Sequence, residues 1–191
     1  MSALTPSAHW GWQVDTYLTL KQLTGITAGS VGDVVLHQTP FTASQLHAVT
    51  TTPSAVVAEF TLAQAEWYWR FWQATEPLLL SDPARFAATI DALASQQFVR
   101  QTGHKSWGFS VISSQYQPQV AELVLLSGAS VLLAVVTQTY GQSSQLLLLD
   151  SGENLQHKQM LAGQNLVLLN DRLQAYRPQR QSGATTFAKT A

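Results

Sequence analysis

The chain has 191 residues, of which 46% are hydrophobic and 11% charged, against about 25% charged in typical soluble proteins. Its net charge of −1 gives no electrostatic footprint for nucleic acid, whose binding depends on clustered Lys and Arg, so we expect no nucleic-acid partner. The absence of Cys excludes disulfides and Cys-ligated metal and fits a cytoplasmic protein. The most apolar segment, residues 123–136, is shorter than the about 20 residues that a membrane-spanning helix needs, so we expect no membrane insertion.

The first sixty residues predict a group of short strands. Trp10, Trp12 and Val14 alternate with small or polar residues, and so do Leu18 and Leu20, which is the period of a half-buried strand. The other elements predicted in this region are a turn at 15–16, a strand at 34–37, a short helix within 41–49 and a strand at 55–60.

An aromatic helix is predicted over residues 61–75. Thr61 and Gln64 form a capping-box pattern at its start, and Glu66 and Arg70 have the spacing of an ion pair one helical turn apart. Aromatic side chains cover most of the remaining circumference, so we expect the helix to be largely buried. They are Trp67, Tyr68, Trp69, Phe71 and Trp72.

A second helix is predicted to begin after Ser81, because Pro83 stands in the first turn behind a residue suited to cap it. Apolar residues then recur at helical spacing, and Gly103 ends the pattern. The residues predicted to form the buried face are Phe86, Ile90, Leu93, Ala94 and Phe98.

The remainder of the chain has the pattern of an all-β structure, since Glu122 is the only charged residue between Trp107 and Leu149. Short strands with short turns favour a small barrel or a strongly curved sheet. The predicted strands are 107–112, 120–126, 131–139, 145–149, 156–161 and 166–169.

These elements predict an α+β fold in two parts. Residues 1–106 form an N-terminal α/β domain with two main helices and a few strands, and residues 107–175 form a C-terminal twisted, β-barrel-like domain. We expect residues 176–191, which are rich in Gln, Ser, Thr and Ala, to form a disordered tail.

Motifs for chemistry are weak. Gly29, Ser30 and Gly32 fall one substitution short of the nucleophile elbow of hydrolases, but a strand is predicted where a helix should follow, which favours a loop between strands. The five His residues have no metal-ligand spacing. We therefore expect no enzymatic activity, no metal and no cofactor, with a hydrolase using Ser30 as the least favoured alternative.

Three short motifs, in order and at similar spacing over residues 9–178, resemble the ZapC family of cell-division proteins. They contain Trp10, Trp12 and Asp15; Trp107 and Phe109; and Asn170, Asp171 and Arg172. The resemblance implies a cytoplasmic protein of Gram-negative bacteria at the mid-cell division site. Such a protein binds the tubulin-like GTPase FtsZ, bundles its filaments and stabilises the Z-ring, and its fold joins an α/β part to a twisted β-barrel. Bundling requires either two binding sites or self-association.

The motif residues are interpreted as structural: Trp10 and Trp12 as strand core, and residues 170–172 as a turn that closes the barrel. For the surface that binds the partner we predict an apolar strand edge beside two cations. Its residues are Leu18, Leu20, Arg100 and Lys105. The alternative function is that of a β-barrel protein binding a small molecule or a peptide in a pocket lined by Leu and aromatic residues.

Overall fold

The computed structural model describes residues 5–23, 33–47, 56–112 and 116–178. Within them the fold is α+β, as predicted, with two main helices and antiparallel sheets. Four sequence predictions lie outside the described residues in whole or in part. They are the loop with Ser30, the end of the short helix proposed within 41–49, the first residue of the strand proposed at 55–60, and residues 179–191 of the proposed tail.

The first sheet has four antiparallel strands in the order β3-β2-β1-β4. The strands are β1 (Trp10–Val14), β2 (Tyr17–Gln22), β3 (Val34–Thr42) and β4 (Val56–Glu59). The predicted turn at 15–16 joins β1 to β2. In place of the short helix proposed within 41–49, β3 continues to Thr42, and a single 3-10 turn follows at Ala43–Gln45.

Strand β1 is buried along its whole length, whereas the alternation predicted a half-buried strand. Trp12 is fully buried on one face. On the other face the chain folds back so closely that a Cβ on Gly11 would lie 2.6 Å from Cδ1 of Leu23. Because β1 is covered on both faces, its small and polar residues Gly11 and Gln13 are buried together with its apolar residues.

Both predicted helices are present: α1 (Leu62–Ala74) and α2 (Asp82–Phe98). Thr61 and Gln64 form the predicted capping box of α1, in which Thr61 Oγ1 accepts from the Gln64 amide and Gln64 Oε1 accepts from the Thr61 amide, both at 3.2 Å. Helix α2 begins after Ser81, as expected from Pro83 in its first turn. The predicted face of α2 is buried except for Phe98, which is half-buried.

Helix α1 is less buried than the sequence predicted. Tyr68, Phe71 and Trp72 lie in the core, but Trp69 is 38% exposed. Arg70 stacks on the ring of Trp67, with Cζ 4.6 Å from the ring centroid, in place of the predicted ion pair with Glu66. A guanidinium on an aromatic face is a competing arrangement that residue spacing alone does not distinguish from an ion pair.

The second sheet has five antiparallel strands in the order β10-β7-β6-β5-β11, and a two-stranded ribbon, β8 with β9, stands beside it. The strands are β5 (Leu123–Ser127), β6 (Val131–Tyr140), β7 (Ser143–Leu148), β8 (Gly152–Glu153), β9 (Gln159–Met160), β10 (Asn165–Leu169) and β11 (Leu173–Ala175). Strands β8 and β11 were not predicted.

The second sheet must be strongly curved. Its two edge strands, β10 and β11, are joined by the three residues Asn170–Arg172 alone. Four Cα steps reach at most about 14 Å, whereas the edges of a flat five-stranded sheet lie about 19 Å apart. The edges therefore bend toward each other at this end, as a barrel-like domain requires. The strand pairs of the described chain do not join β10 to β11, so a seam stays open between them.

The segment from Lys105 to Ile112 crosses this seam and is not the strand predicted at 107–112. It makes a 3-10 turn at Ser106–Gly108. The Lys105 amide donates to the carbonyl of Val167 in β10 at 3.0 Å, and the Ile112 amide donates to the Asp171 carbonyl at 2.7 Å. In this segment Phe109 is buried in the core of the second sheet. Trp107 and Val111, two residues before and after it, are exposed.

Helix α2 packs against β3 of the first sheet and against β6 and β7 of the second. Leu123, Val135 and Leu147 of the second sheet belong to the same apolar cluster as Trp10 and Trp12. A buried polar network crosses the same interface. Ser95 Oγ lies 3.0 Å from Thr137 Oγ1 and 2.9 Å from Asn165 Oδ1, and Gln145 Nε2 donates to the Ser95 carbonyl at 3.0 Å. The two sheets divide near residue 106, but both contribute to one apolar cluster, and the second sheet has a further cluster of its own.

Candidate functional site

The predicted partner surface is not a single surface, because Leu18 and Leu20 are not accessible. Both side chains are fully buried on β2, in the cluster that contains Trp10 and Phe41. Their alternation marked one face of a strand correctly, but that face is turned to the core. A partner would reach these leucines only after the first sheet opened, so we withdraw them as binding residues.

Arg100, the first of the two predicted cations, fastens the end of α2 to the first sheet. Its main-chain amide donates to the Gln45 carbonyl at 2.8 Å, and its guanidinium donates to the carbonyl of Ser44. The residue is exposed, but its hydrogen bonds serve the connection between α2 and the turn after β3.

Lys105, the second predicted cation, stands at the beginning of a rigidly held turn. Besides the bond from Lys105 to β10, Ser106 Oγ accepts from the Leu169 amide at 2.9 Å. The Gly108 amide donates back to the Lys105 carbonyl at 3.1 Å and closes the turn. Two attachments to β10 therefore fix the position of the residue at the top of the turn.

That residue is Trp107, and its side chain is 64% exposed. From the sequence, Trp107 was interpreted as structural together with Phe109, and a strand was predicted at 107–112. The 3-10 turn instead separates them: Phe109 is 2% exposed in the core of the second sheet, and Trp107 points to solvent. Trp107 is the most exposed of the six Trp residues of the chain, all of which the structure describes.

A second exposed apolar residue lies on a segment bonded to the same turn. Leu155, 45% exposed, donates its amide to the Gly108 carbonyl at 2.9 Å. The contact is close, because a Cβ on Gly108 would lie 2.9 Å from Asn154 Nδ2. We define Lys105, Trp107, Leu155 and Lys158 as the Trp107 surface.

The turn that carries Leu155 also contributes charge to the Trp107 surface. Lys158 is exposed, and its amide donates to Asn154 Oδ1 at 3.0 Å, which holds the turn together. Glu153, at the beginning of this turn, lies 3.0 Å from Nδ1 of His157, so its carboxylate has a local partner. The Trp107 surface thus combines two exposed apolar side chains with two lysines.

The other motif residues have different positions. Trp10 and Trp12 are core residues of β1, and Asp15 is exposed in the turn between β1 and β2. Asn170 is buried and joins three segments: it accepts from Ser144 Oγ at 2.8 Å and donates through Nδ2 to the Gly141 carbonyl at 2.8 Å and to Gln117 Oε1 at 3.2 Å.

Beside Asn170, Asp171 and Arg172 lie 3.3 Å apart in the turn that joins β10 to β11. A cleft of about 250 Å³ opens here between Gln117, Gln142 and the start of the turn. A larger cleft of about 500 Å³ lies at the edge of β11 that pairs with no other strand of the described residues. It is lined by Ile112, Tyr116, Leu125, Leu173, Gln174, Ala175 and Arg177.

One pair of an acid and a histidine was not predicted from the sequence, because 54 residues separate its members. His37 Nε2 of β3 lies 2.7 Å from Asp91 Oδ1 of α2, and both side chains are mostly buried. Burial raises the pKa of Asp91, and the hydrogen bond and charge of His37 act in the opposite direction. In the described part of the chain, no group of three His, Asp or Glu residues is arranged to hold a metal ion.

No model of a known protein family matches the chain. Among the described residues, no helix is both long enough and apolar enough to cross a membrane.

Proposed function

We propose that the chain is a non-enzymatic cell-division protein of the cytoplasm that binds FtsZ at mid-cell and bundles its filaments. The name of the partner comes from the resemblance of the three motifs to the ZapC family. The observation that carries the proposal is the exposure of Trp107, a residue of the second motif that the core does not use.

The Trp107 surface has the properties of a protein-binding site. Trp is strongly enriched among the residues that contribute most to protein interfaces, and a rigid turn reduces the entropy lost when it is buried by a partner. Lys105 and Lys158 favour an acidic partner and orient it. This surface replaces the one predicted around Leu18 and Leu20, and of that prediction it retains Lys105.

Bundling also requires a second contact, because one site on a monomer holds one filament only. Self-association of the chain or a second FtsZ site would satisfy this requirement. The two are separable by sedimentation of the protein alone: a monomer over the range of concentrations that bundles filaments favours two sites.

The experiment that tests the proposal is co-sedimentation with GTP-assembled FtsZ of the same organism, with light scattering read in parallel. We expect the chain to pellet with the filaments and to increase scattering. Trp107→Ala should weaken pelleting about tenfold or more, as for an interface hot spot. Trp69→Ala is the matched control, because it removes an exposed Trp from α1, outside the Trp107 surface.

Two outcomes contradict the proposal. If the wild-type chain stays in the supernatant while FtsZ polymers pellet, the resemblance is limited to the fold. If both Trp variants pellet as well as the wild type, the Trp107 surface is not the binding site. A melting temperature equal to that of the wild type, in both variants, excludes a loss of folding as the cause of weaker binding.

The alternative, a barrel with an interior ligand, has less support. Leu side chains were predicted to line a pocket, but Leu126, Leu132, Leu146 and Leu168 of the second sheet are instead fully buried in one apolar cluster. The larger of the two clefts lies outside this cluster, at the edge of β11 that pairs with no other described strand.

A further inference from the structure

The two edges of the second sheet differ in how their main-chain groups are used. On β10, the outward groups of Val167 and Leu169 are bonded to Lys105 and Ser106. On β11, the Tyr176 amide bonds to Leu123 of β5, so the antiparallel alternation turns the N–H and C=O groups of Ala175 and the C=O group of Leu173 outward. These three groups have no hydrogen-bond partner in the described part of the chain.

The cleft of about 500 Å³ lies along this unpaired edge. Ile112, 38% exposed, stands at the start of β11, because its amide bonds to Asp171. Leu125 of β5 contributes a partly exposed side chain. The cleft is thus open to solvent, apolar at one end, and bordered by main-chain groups that are arranged to extend a sheet.

Charge is distributed unevenly around the cleft. Arg177, which is exposed, lines it just beyond the C-terminal end of β11. The Tyr116 hydroxyl is buried without a hydrogen bond of good geometry, and burial together with the nearby Glu122 carboxylate raises its pKa. An acidic group in the cleft is therefore attracted to the Arg177 end and repelled from the Glu122 side.

We propose that the edge of β11 binds an extended peptide of a partner protein by strand addition, with an apolar side chain beside Ile112 and a carboxylate beside Arg177. Main-chain bonds to Leu173 and Ala175 give the peptide its extended conformation, and the cleft selects its side chains. Four residues of extended chain span about 13 Å, which sets the spacing between the apolar and the acidic position. This proposal does not depend on FtsZ binding.

An extended peptide fits these observations better than a compact ligand does. A small molecule would leave the row of outward main-chain groups unused, whereas a strand pairs with them at its own repeat. The charge of Arg177 adds selectivity for acidic sequences, a preference that salt should weaken.

The test is a selection of displayed random nine-residue peptides on the full-length protein, without FtsZ in the assay. We expect enriched sequences with an apolar residue and, three or four positions away, Asp or Glu. Synthetic peptides of these sequences should bind Arg177→Glu at least about tenfold more weakly than the wild type. The conservative variant Arg177→Lys should retain most of the affinity.

A second pair of variants tests the main-chain bonds. Ala175→Pro removes the outward N–H group without removing a bond to β5, and Ala175→Thr retains it. We expect Pro but not Thr to lose the peptide, provided that both melt near the wild-type temperature. The proposal is overturned if no sequence is enriched over uncoated support, or if the enriched peptides bind Arg177→Glu as tightly as the wild type.

Discussion

The indole N–H of Trp12 on β1 donates to Oε1 of Gln64 on α1 at 3.2 Å. The same Gln64 oxygen accepts the Thr61 amide at the start of the helix. One buried side chain thus completes the helix cap and satisfies the polar atom of a core tryptophan. The Gln64 side chain, which the capping box already requires, therefore also holds α1 against the first sheet.

We expect Gln64→Met to lower the free energy of unfolding by about 1–3 kcal/mol, because it leaves the buried Trp12 indole N–H without an acceptor and removes the acceptor of the Thr61 amide. Gln73→Met is the control: it makes the same change at an exposed position of α1 and should alter stability by less than about 0.5 kcal/mol. Urea unfolding followed by far-UV circular dichroism measures both. Equal stability of the two variants would contradict the assigned role of Gln64.

We expect the two sheets to unfold together, because they share a core across α2. The six Trp residues allow a direct check: five of them precede residue 73 and Trp107 is exposed, so fluorescence mainly reports the first half. Its midpoint should coincide with the midpoint of circular dichroism, which reports both halves.

Ser95→Ala should lower both midpoints equally, by a stability loss of about 1–3 kcal/mol, since the buried Thr137, Gln145 and Asn165 side chains lose a partner. Gln97→Ala, at an exposed position of the same helix, should change stability by less than about 0.5 kcal/mol. Two separate transitions in the wild type would show that the two halves of the chain are independent domains.

Asp91 should make stability depend on pH. Because burial raises its pKa, the folded protein holds the carboxyl proton more tightly than the unfolded chain does. Asp91 therefore favours folding most below the ordinary carboxyl pKa, and this contribution falls as pH rises through the raised pKa. The stability of the wild type relative to Asp91→Asn should decrease as pH rises above about 4, the ordinary carboxyl pKa. An exposed control, Asp15→Asn, should give a flatter difference when urea unfolding is repeated across this range.

Asn170 should be essential for the barrel-like part, although it contacts no candidate ligand. Asn170→Ala removes hydrogen bonds to Ser144, Gly141 and Gln117, with an expected loss of about 2–4 kcal/mol. Gln174→Ala, exposed on the following strand, should cost less than about 0.5 kcal/mol. If Asn170→Ala melts with the wild type, the turn between β10 and β11 does not depend on these bonds.

The local signals in the sequence predicted the helices well, and the long-range contacts decided the rest. The cap at Thr61 and Pro83 in the first turn of α2 act within one helical turn, so residue spacing is sufficient. The fate of Leu18 depended on which face of β2 meets the core, and that of Trp107 on attachment to β10, about 60 residues away. The pair of His37 and Asp91, 54 residues apart, leaves no local pattern.

Strand β11 lies beside β5 in the second sheet but far from it in the sequence, and this separation affects the order of folding. Strands β5, β6 and β7 pair with their neighbours in sequence, but β11 must return to β5 from almost fifty residues downstream. Closing such a large loop is slow compared with forming hairpins, so β11 should add late, with low φ-values around Leu173. During synthesis β11 also leaves the ribosome after β1 to β10. Until it arrives, β5 has an unpaired edge, and a newly made chain is then most exposed to pairing with another copy.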